Sequence, residues 1–185
     1  MYHIKNDKRA RASTELICAG LLACMKEKPF ARITITDVQR ASTVSRSTFY
    51  RNFDCLEDAL ALLCDRGFQA VFSEYNALPP EQRGSLAKAV FQYWFRSSAV
   101  LEALVQIHRT DILFDSLRRS SGLIQALQPM ADDPARFDYF VAIITSSMIG
   151  VLTVWVEHGK TETEDQMGQK LTSAFIEMAI LELPG

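Results

Sequence analysis

Thr34-Ile35-Thr36-Asp37-Val38-Gln39-Arg40-Ala41-Ser42-Thr43-Val44-Ser45-Arg46-Ser47-Thr48-Phe49-Tyr50-Arg51-Asn52-Phe53 is the stretch on which the reading of this chain turns. Thr34 followed three residues later by Asp37 has the form of a capping box, with Asp a less usual partner than Glu or Gln, and predicts a short helix through Val38 ending near Ser42. After a turn at Thr43–Val44, Ser45 can cap another helix through about Asn52. Phe49 and Phe53, four apart, share one face of it. Ser47 and Arg51, also four apart, share nearly the opposite face. Two short helices with a tight turn, the second polar and basic outside, predict a helix-turn-helix.

Working outward, a first helix is expected from about Arg9 to Lys28, with Leu16, Ala19, Leu22 and Ala23 at helical spacing and Pro29 ending it. A long fourth helix follows Phe53, its buried stripe Leu56, Leu60, Leu63, Phe68, Val71, Phe72 and Tyr75. The stretch Ala77–Ser85, with Pro79, Pro80 and Gly84, reads as a loop. Leu86–Leu127 reads as two or three helices, broken near Ser97–Ala99 and Arg109–Thr110. Met130–Pro134 reads as a loop in which Asp133 caps and Pro134 opens the next helix. That helix is apolar and ends at Gly159. A last one begins after Thr161 or Thr163 and carries Met167, Leu171, Phe175, Met178 and Leu181. No repeat and no long alternating pattern is present, so the expected class is all-α.

The net charge of −2 conceals a split. Residues 1–53 hold ten Lys/Arg against four Asp/Glu, whereas residues 54–185 hold ten against eighteen. A basic head suits phosphate, and an acidic body discourages indiscriminate binding to nucleic acid. Cys18, Cys24, Cys55 and Cys64 form no CxxC pair and no zinc-like spacing with the three histidines, so they read as reduced thiols of a cytoplasmic protein. Met1–Arg11 contains no apolar run of the kind a signal peptide needs. Tyr139–Val156 is long and apolar, but Thr145, Ser146, Ser147, Gly150 and Thr153 interrupt it and no basic flank follows. It reads as a buried core or interface helix of a soluble protein, with no membrane partner.

The Thr34–Val38 start and the Val44–Phe53 run, with its Thr48-Phe49-Tyr50-Arg51-Asn52-Phe53 stretch, resemble the DNA-binding core of the tetracycline repressor (TetR) family. The resemblance covers about the first 65 residues. Trp155 and Gly159, in a WxxxG arrangement, resemble one group of the family's C-terminal domains. The resemblance implies a three-helix DNA-binding domain over residues 1–54 and a helical effector-binding and dimerisation domain over residues 55–185. It also implies a homodimer on a palindromic operator in double-stranded DNA, and a repressor released by a small effector. Two departures stand out. Ser42-Thr43 replaces the usual Ala-Gly, which places a β-branched residue at a turn suited to positive φ. Leu56, with Asp54, Glu57 and Asp58 around it, stands where a phosphate-binding Lys is common.

Major-groove reading needs short or planar polar side chains on the recognition helix, and Ser45, Arg46, Ser47, Thr48 and Arg51 supply them. Hydroxyls and cations suited to phosphate are Thr34, Thr36, Tyr50 and the arm Lys5, Lys8, Arg9 and Arg11. The resemblance implies that Tyr50 meets phosphate and that Thr34 is a helix cap beside the DNA backbone. In the second domain, Phe91, Trp94, Phe95, Phe114 and Trp155 could line a pocket for a small apolar or aromatic effector, with His108 as a polar anchor. At helical spacing the same aromatics also read as core. No nucleophile–base pair, metal cluster or phosphate-binding glycine loop is visible, so neither enzymatic activity nor a cofactor is expected. The rival reading is a protein of this fold that has lost operator binding and acts as a coactivator through protein partners.

Overall fold

The computed structural model describes residues 2–4, 7–128 and 133–181. Lys5, residues 130–132 of the expected loop, and the side chains of Met178 and Leu181 lie outside that description. Among the described residues there is no strand. The helices are α1 (Lys8–Glu27), α2 (Ile35–Ser42), α3 (Arg46–Asn52), α4 (Leu56–Ala77), α5 (Leu86–Arg96), α6 (Ser98–Gln106), α7 (Thr110–Arg119), α8 (Ser121–Leu127), α9 (Pro134–Glu157) and α10 (Glu164–Leu181). The all-α class is as expected. Leu86–Leu127 forms four helices rather than two or three, because a break at Ser120 separates α7 from α8.

The helices begin where side chains can satisfy free amides. Asp7 accepts from the Ala10 N–H at 2.8 Å. Thr34 and Asp37 close a full capping box. Thr163 and Gln166 make the reciprocal pair at α10, with the Gln166 side chain accepting from Thr163 N–H at 2.9 Å. Such caps each contribute about 1 kcal/mol.

The chain divides into two compact units. The first comprises Met1–Gly67 and Ala99–Ser116. Within it α1 packs against α2 and α3, around Ile17, Leu21, Val38, Phe49, Phe53 and Leu60, all essentially without solvent exposure. The buried face of α1 differs from the expected stripe: Thr14, Ile17, Cys18, Leu21 and Cys24 face inward. Leu16, Ala19 and Ala23 are exposed and Leu22 half-buried. The expected stripe lay on nearly the opposite face of the helix from the true one.

The second unit comprises Phe68–Ser98 and Leu117–Gly185. There α10 packs on α5 and α9. Phe68, Phe72, Phe91, Trp94, Leu123, Leu127 and Leu152 are buried. Trp155 explains the WxxxG spacing. Its ring stacks on Phe95 at 3.9 Å, its Nε1 donates to the Glu162 carbonyl, and its own carbonyl accepts from Lys160 N–H across Gly159, which has φ of +75°. The helix α9 is long and apolar enough between Arg136 and Glu157 to cross a membrane by length and composition, with mean hydropathy 1.9.

Candidate nucleic-acid interface

Three local choices hold α2 and α3 in their arrangement. Gly20 lets α1 approach the end of α2: a Cβ there would lie 2.8 Å from Ser42 Cβ and 3.0 Å from Ser42 N. Thr43 takes the left-handed conformation anticipated for the turn, with φ 59° and ψ 15°. Its hydroxyl donates to the Ser42 carbonyl at 2.7 Å, and Ser42 Oγ accepts from Val44 N–H. Ser45 then caps α3 by accepting from Thr48 N–H.

α3 is anchored by Phe49 and Phe53, whose rings lie 5.6 Å apart. Both are buried, as the spacing predicted. The opposite face is open: Ser45, Arg46, Ser47, Tyr50 and Arg51 are exposed and Thr48 is half-buried. Ser45 Oγ lies 3.1 Å from Ser47 Oγ and 2.9 Å from Thr48 Oγ1, so three hydroxyls cluster at the helix start. Arg46 covers Tyr50, with its guanidinium 5.5 Å from the ring centroid and Nη2 donating to the phenol oxygen at 3.3 Å.

The basic start of α1 lies beside this face. Lys8, Arg9, Thr48 and Arg51 surround one groove of about 560 Å³, together with Asp7, Ser13 and Asn52. The structure thus brings two of the expected arm cations together with two residues of α3. Arg11 is exposed on the same helix. Thr34 and Thr36 are exposed at the start of α2, and the Thr34 hydroxyl is engaged by Asp37 at 2.7 Å. Asp37 also pairs with Lys28 at 2.7 Å. The hydrogen bond from Lys28, then those from the Thr34 side chain and backbone, hold its carboxyl well below the usual range.

Sequence reasoning missed the N-terminal tether. His3 N–H donates to the Asn52 carbonyl at 3.0 Å, and the Tyr2 hydroxyl donates to Asp65 Oδ2. A contact 63 positions apart in sequence leaves no periodic trace. The acidic cluster after Phe53 is also altered by its geometry. Asp58 is buried and accepts from the Asp54 N–H at 2.9 Å, so it caps the start of α4. Leu56 is itself buried.

Of the expected effector residues, Phe91, Trp94 and Trp155 are buried in the second unit, with Phe95 against Trp155. Phe114, half-buried, and His108, exposed at φ 55°, belong to the first. Trp94 Nε1 and Thr145 Oγ1 are buried polar atoms with no hydrogen-bond partner among the described residues. The thiols are free. Burial pushes Cys18 up to about 11 and raises Cys64 further, so neither is poised as a nucleophile.

No family model and no curated protein matches this chain. Solved structures do. A TetR transcriptional regulator from Streptococcus agalactiae superposes with a TM-score of 0.60 at 18% identity, over 91% of this chain and 96% of that one. A protein described as a TetR-family transcriptional regulator, from Syntrophomonas wolfei, gives 0.66 at 18% identity, over 94% and 97%. The fold of this chain, across nearly its whole length, is therefore that of the TetR transcriptional regulators.

Proposed function

We propose that this chain is a sequence-specific DNA-binding transcriptional regulator of the TetR type, acting as a homodimer on a palindromic operator. Residues 1–54 are assigned to DNA binding, and residues 55–185 to dimerisation and effector binding. The observation that carries the reading is α3, which buries Phe49 and Phe53 and presents Ser45, Arg46, Ser47, Tyr50 and Arg51 outward. Beside it lies the Lys8–Arg9 groove. Side chains of these kinds match the hydrogen-bonding edges of bases, and the cations and Tyr50 match phosphate. Thr34 and Thr36 stand at the start of α2, exposed, where a helix N-terminus favours an anion.

Repression follows if the bound dimer covers promoter DNA, and release follows if an effector binds better to the conformation that fits DNA worse. The aromatic core around Phe91, Trp94, Phe95 and Trp155 is the favoured place for a small apolar or aromatic effector. The buried Trp94 N–H favours a molecule that carries a hydrogen-bond acceptor.

The coactivator reading rests on Leu56, which offers no cation to phosphate. Asp58 gives it less support than the sequence does, since that carboxylate is spent on the cap of α4.

Selection of binding sites from random-sequence duplexes tests the proposal. The expected outcome is a palindromic consensus whose affinity falls steeply with salt, and whose discrimination relaxes in Arg51→Ala. A folded dimer that enriches no sequence would replace operator reading with the coactivator alternative.

A further inference from the structure

We propose that Asp65 is a positioning residue for the N-terminal segment, coupling α7 to the residues that lead into Lys8 and Arg9. The inference rests on the DNA-binding reading above. Asp65 Oδ2 accepts from the Tyr2 hydroxyl, and Oδ1 accepts from the Ser116 hydroxyl. One carboxylate on α4 therefore joins the start of the chain to α7. Ser116 is buried. The next residue of α4, Arg66, grips Glu15 of α1 with two hydrogen bonds, at 2.7 and 3.2 Å.

The N-terminal segment has a second hold, from His3 N–H to the carbonyl of Asn52 at 3.0 Å. The buried side chain of Asn52 in turn donates to the Thr48 carbonyl at 2.8 Å. Residues 2 and 3 are thus fixed to the last residue of α3 and to the middle of α4. From Tyr2 to Lys8 the chain can span at most about 20 Å. Anchoring Tyr2 therefore limits fraying of the first turn of α1, which carries Lys8 and Arg9, before any DNA arrives, and lowers the ordering cost of a phosphate contact.

The coupling follows from carboxylate geometry. A carboxylate torsion is broad, and the two hydroxyls that the oxygens accept from help to orient it here. Removing the Ser116 hydroxyl takes away one of the contacts that orient the group, and the Tyr2 contact loosens. Both α4 and α7 continue from the first unit into the second, at residues 67/68 and 116/117. A shift of α7 relative to α4 is therefore felt at Asp65, and from there at the segment preceding the basic groove.

The test compares the full-length protein with Tyr2→Phe, Ser116→Ala and the double variant. Tyr2→Phe deletes one oxygen from a half-buried ring and leaves the core intact. In the absence of DNA, exchange of the His3 amide is expected to accelerate by about tenfold or more in both single variants, as in local opening. The double variant should be no faster than the faster single one. On the selected duplex, the slope of log affinity against log salt should fall by about one to two in each variant, the loss of one or two phosphate contacts. Unchanged His3 exchange in Ser116→Ala overturns the coupling. Unchanged salt slopes overturn the positioning role. Should the wild-type protein select no duplex, the DNA-binding reading fails, while the exchange measurement still decides whether the carboxylate links α7 to the N-terminus.

Discussion

Thr43 and Asp37 show how single residues set the geometry of the helix-turn-helix. A β-branched residue in the left-handed region costs about 1–2 kcal/mol, which glycine does not pay, although glycine also loses more entropy on folding, about 0.5–1 kcal/mol. Thr43 recovers part of that cost through its 2.7 Å hydrogen bond to the Ser42 carbonyl. Thr43→Gly is expected to stabilise the protein by about 0.5–1 kcal/mol, seen as a higher urea midpoint with an unchanged slope. A lower midpoint would mean that the hydroxyl matters more than the backbone strain. Asp37 gives a pH signature. Its folded-state pKa lies below its ordinary 3.8 because of Lys28 and Thr34. The stabilisation is therefore fully present above the ordinary value and is lost as pH falls towards the folded one. Wild type should melt above Asp37→Asn at pH 7, and the gap should shrink once the pH drops below about 3.8. A gap of constant size from pH 7 to pH 2.5 would count against the ionised capping box.

At the scale of the element, the α1–α2 contact is the tightest constraint on the site. An alanine at position 20 gains about 1 kcal/mol of helix propensity. Its methyl, however, would meet Ser42 Cβ at 2.8 Å and the Ser42 backbone nitrogen at 3.0 Å, and the backbone atom cannot turn aside. Overpacking of this kind costs about 1–3 kcal/mol. Gly20→Ala should thus lower the unfolding midpoint and weaken DNA binding by displacing α2, and an equal or higher midpoint would refute the close approach.

The elements also show what the sequence made legible. Thr34, Ser45 and Thr163 mark helix starts because capping is a local interaction, complete within four residues. Phe49 and Phe53 revealed the inner face of α3, and through it the outer face with Arg46, Tyr50 and Arg51. The inner face of α1 was misplaced because it contains Thr14 and Cys18, while apolar Leu16 lies outside. Thr14 is accommodated by donating to the Ala10 carbonyl at 2.7 Å, a bond that hydrophobic patterning does not register. The Tyr2–Asp65–Ser116 link was invisible for another reason: its members are brought together by the fold alone. The grouping of Lys8 and Arg9 with Thr48 and Arg51 likewise needed the packing of α1 on α3.

For the whole molecule, the last two helices carry apolar side chains that the single chain leaves exposed. On α9, Arg136, Tyr139, Ile143, Ser146, Gly150, Val154 and Glu157 are exposed at spacings of three and four. Tyr139 is 74% exposed, Ile143 52% and Val154 46%, and Ile176 on α10 is 57% exposed. A Cβ at Gly150 would touch nothing within 4 Å. Repetition at three and four residues is the spacing with which one helix lies along another. Large side chains flanking small Ser146 and Gly150 would let two copies approach closely. An isologous contact doubles every effect, since each residue appears twice. Burying one isoleucine is worth about 1.5–3 kcal/mol, so Ile143→Asp should cost at least about 3 kcal/mol of dimer stability, roughly a hundredfold in Kd. Because Ile143 is exposed within the single chain, the helical content of the variant should be unchanged. Sedimentation velocity across a concentration series is the measurement. A mass that shifts from dimer to monomer, together with loss of the palindrome but residual binding to half-sites, would assign this face to the homodimer. A wild-type mass of one chain at micromolar concentration, or an Ile143→Asp dimer of undiminished affinity, would remove α9 from the interface and leave its exposed apolar face without that explanation.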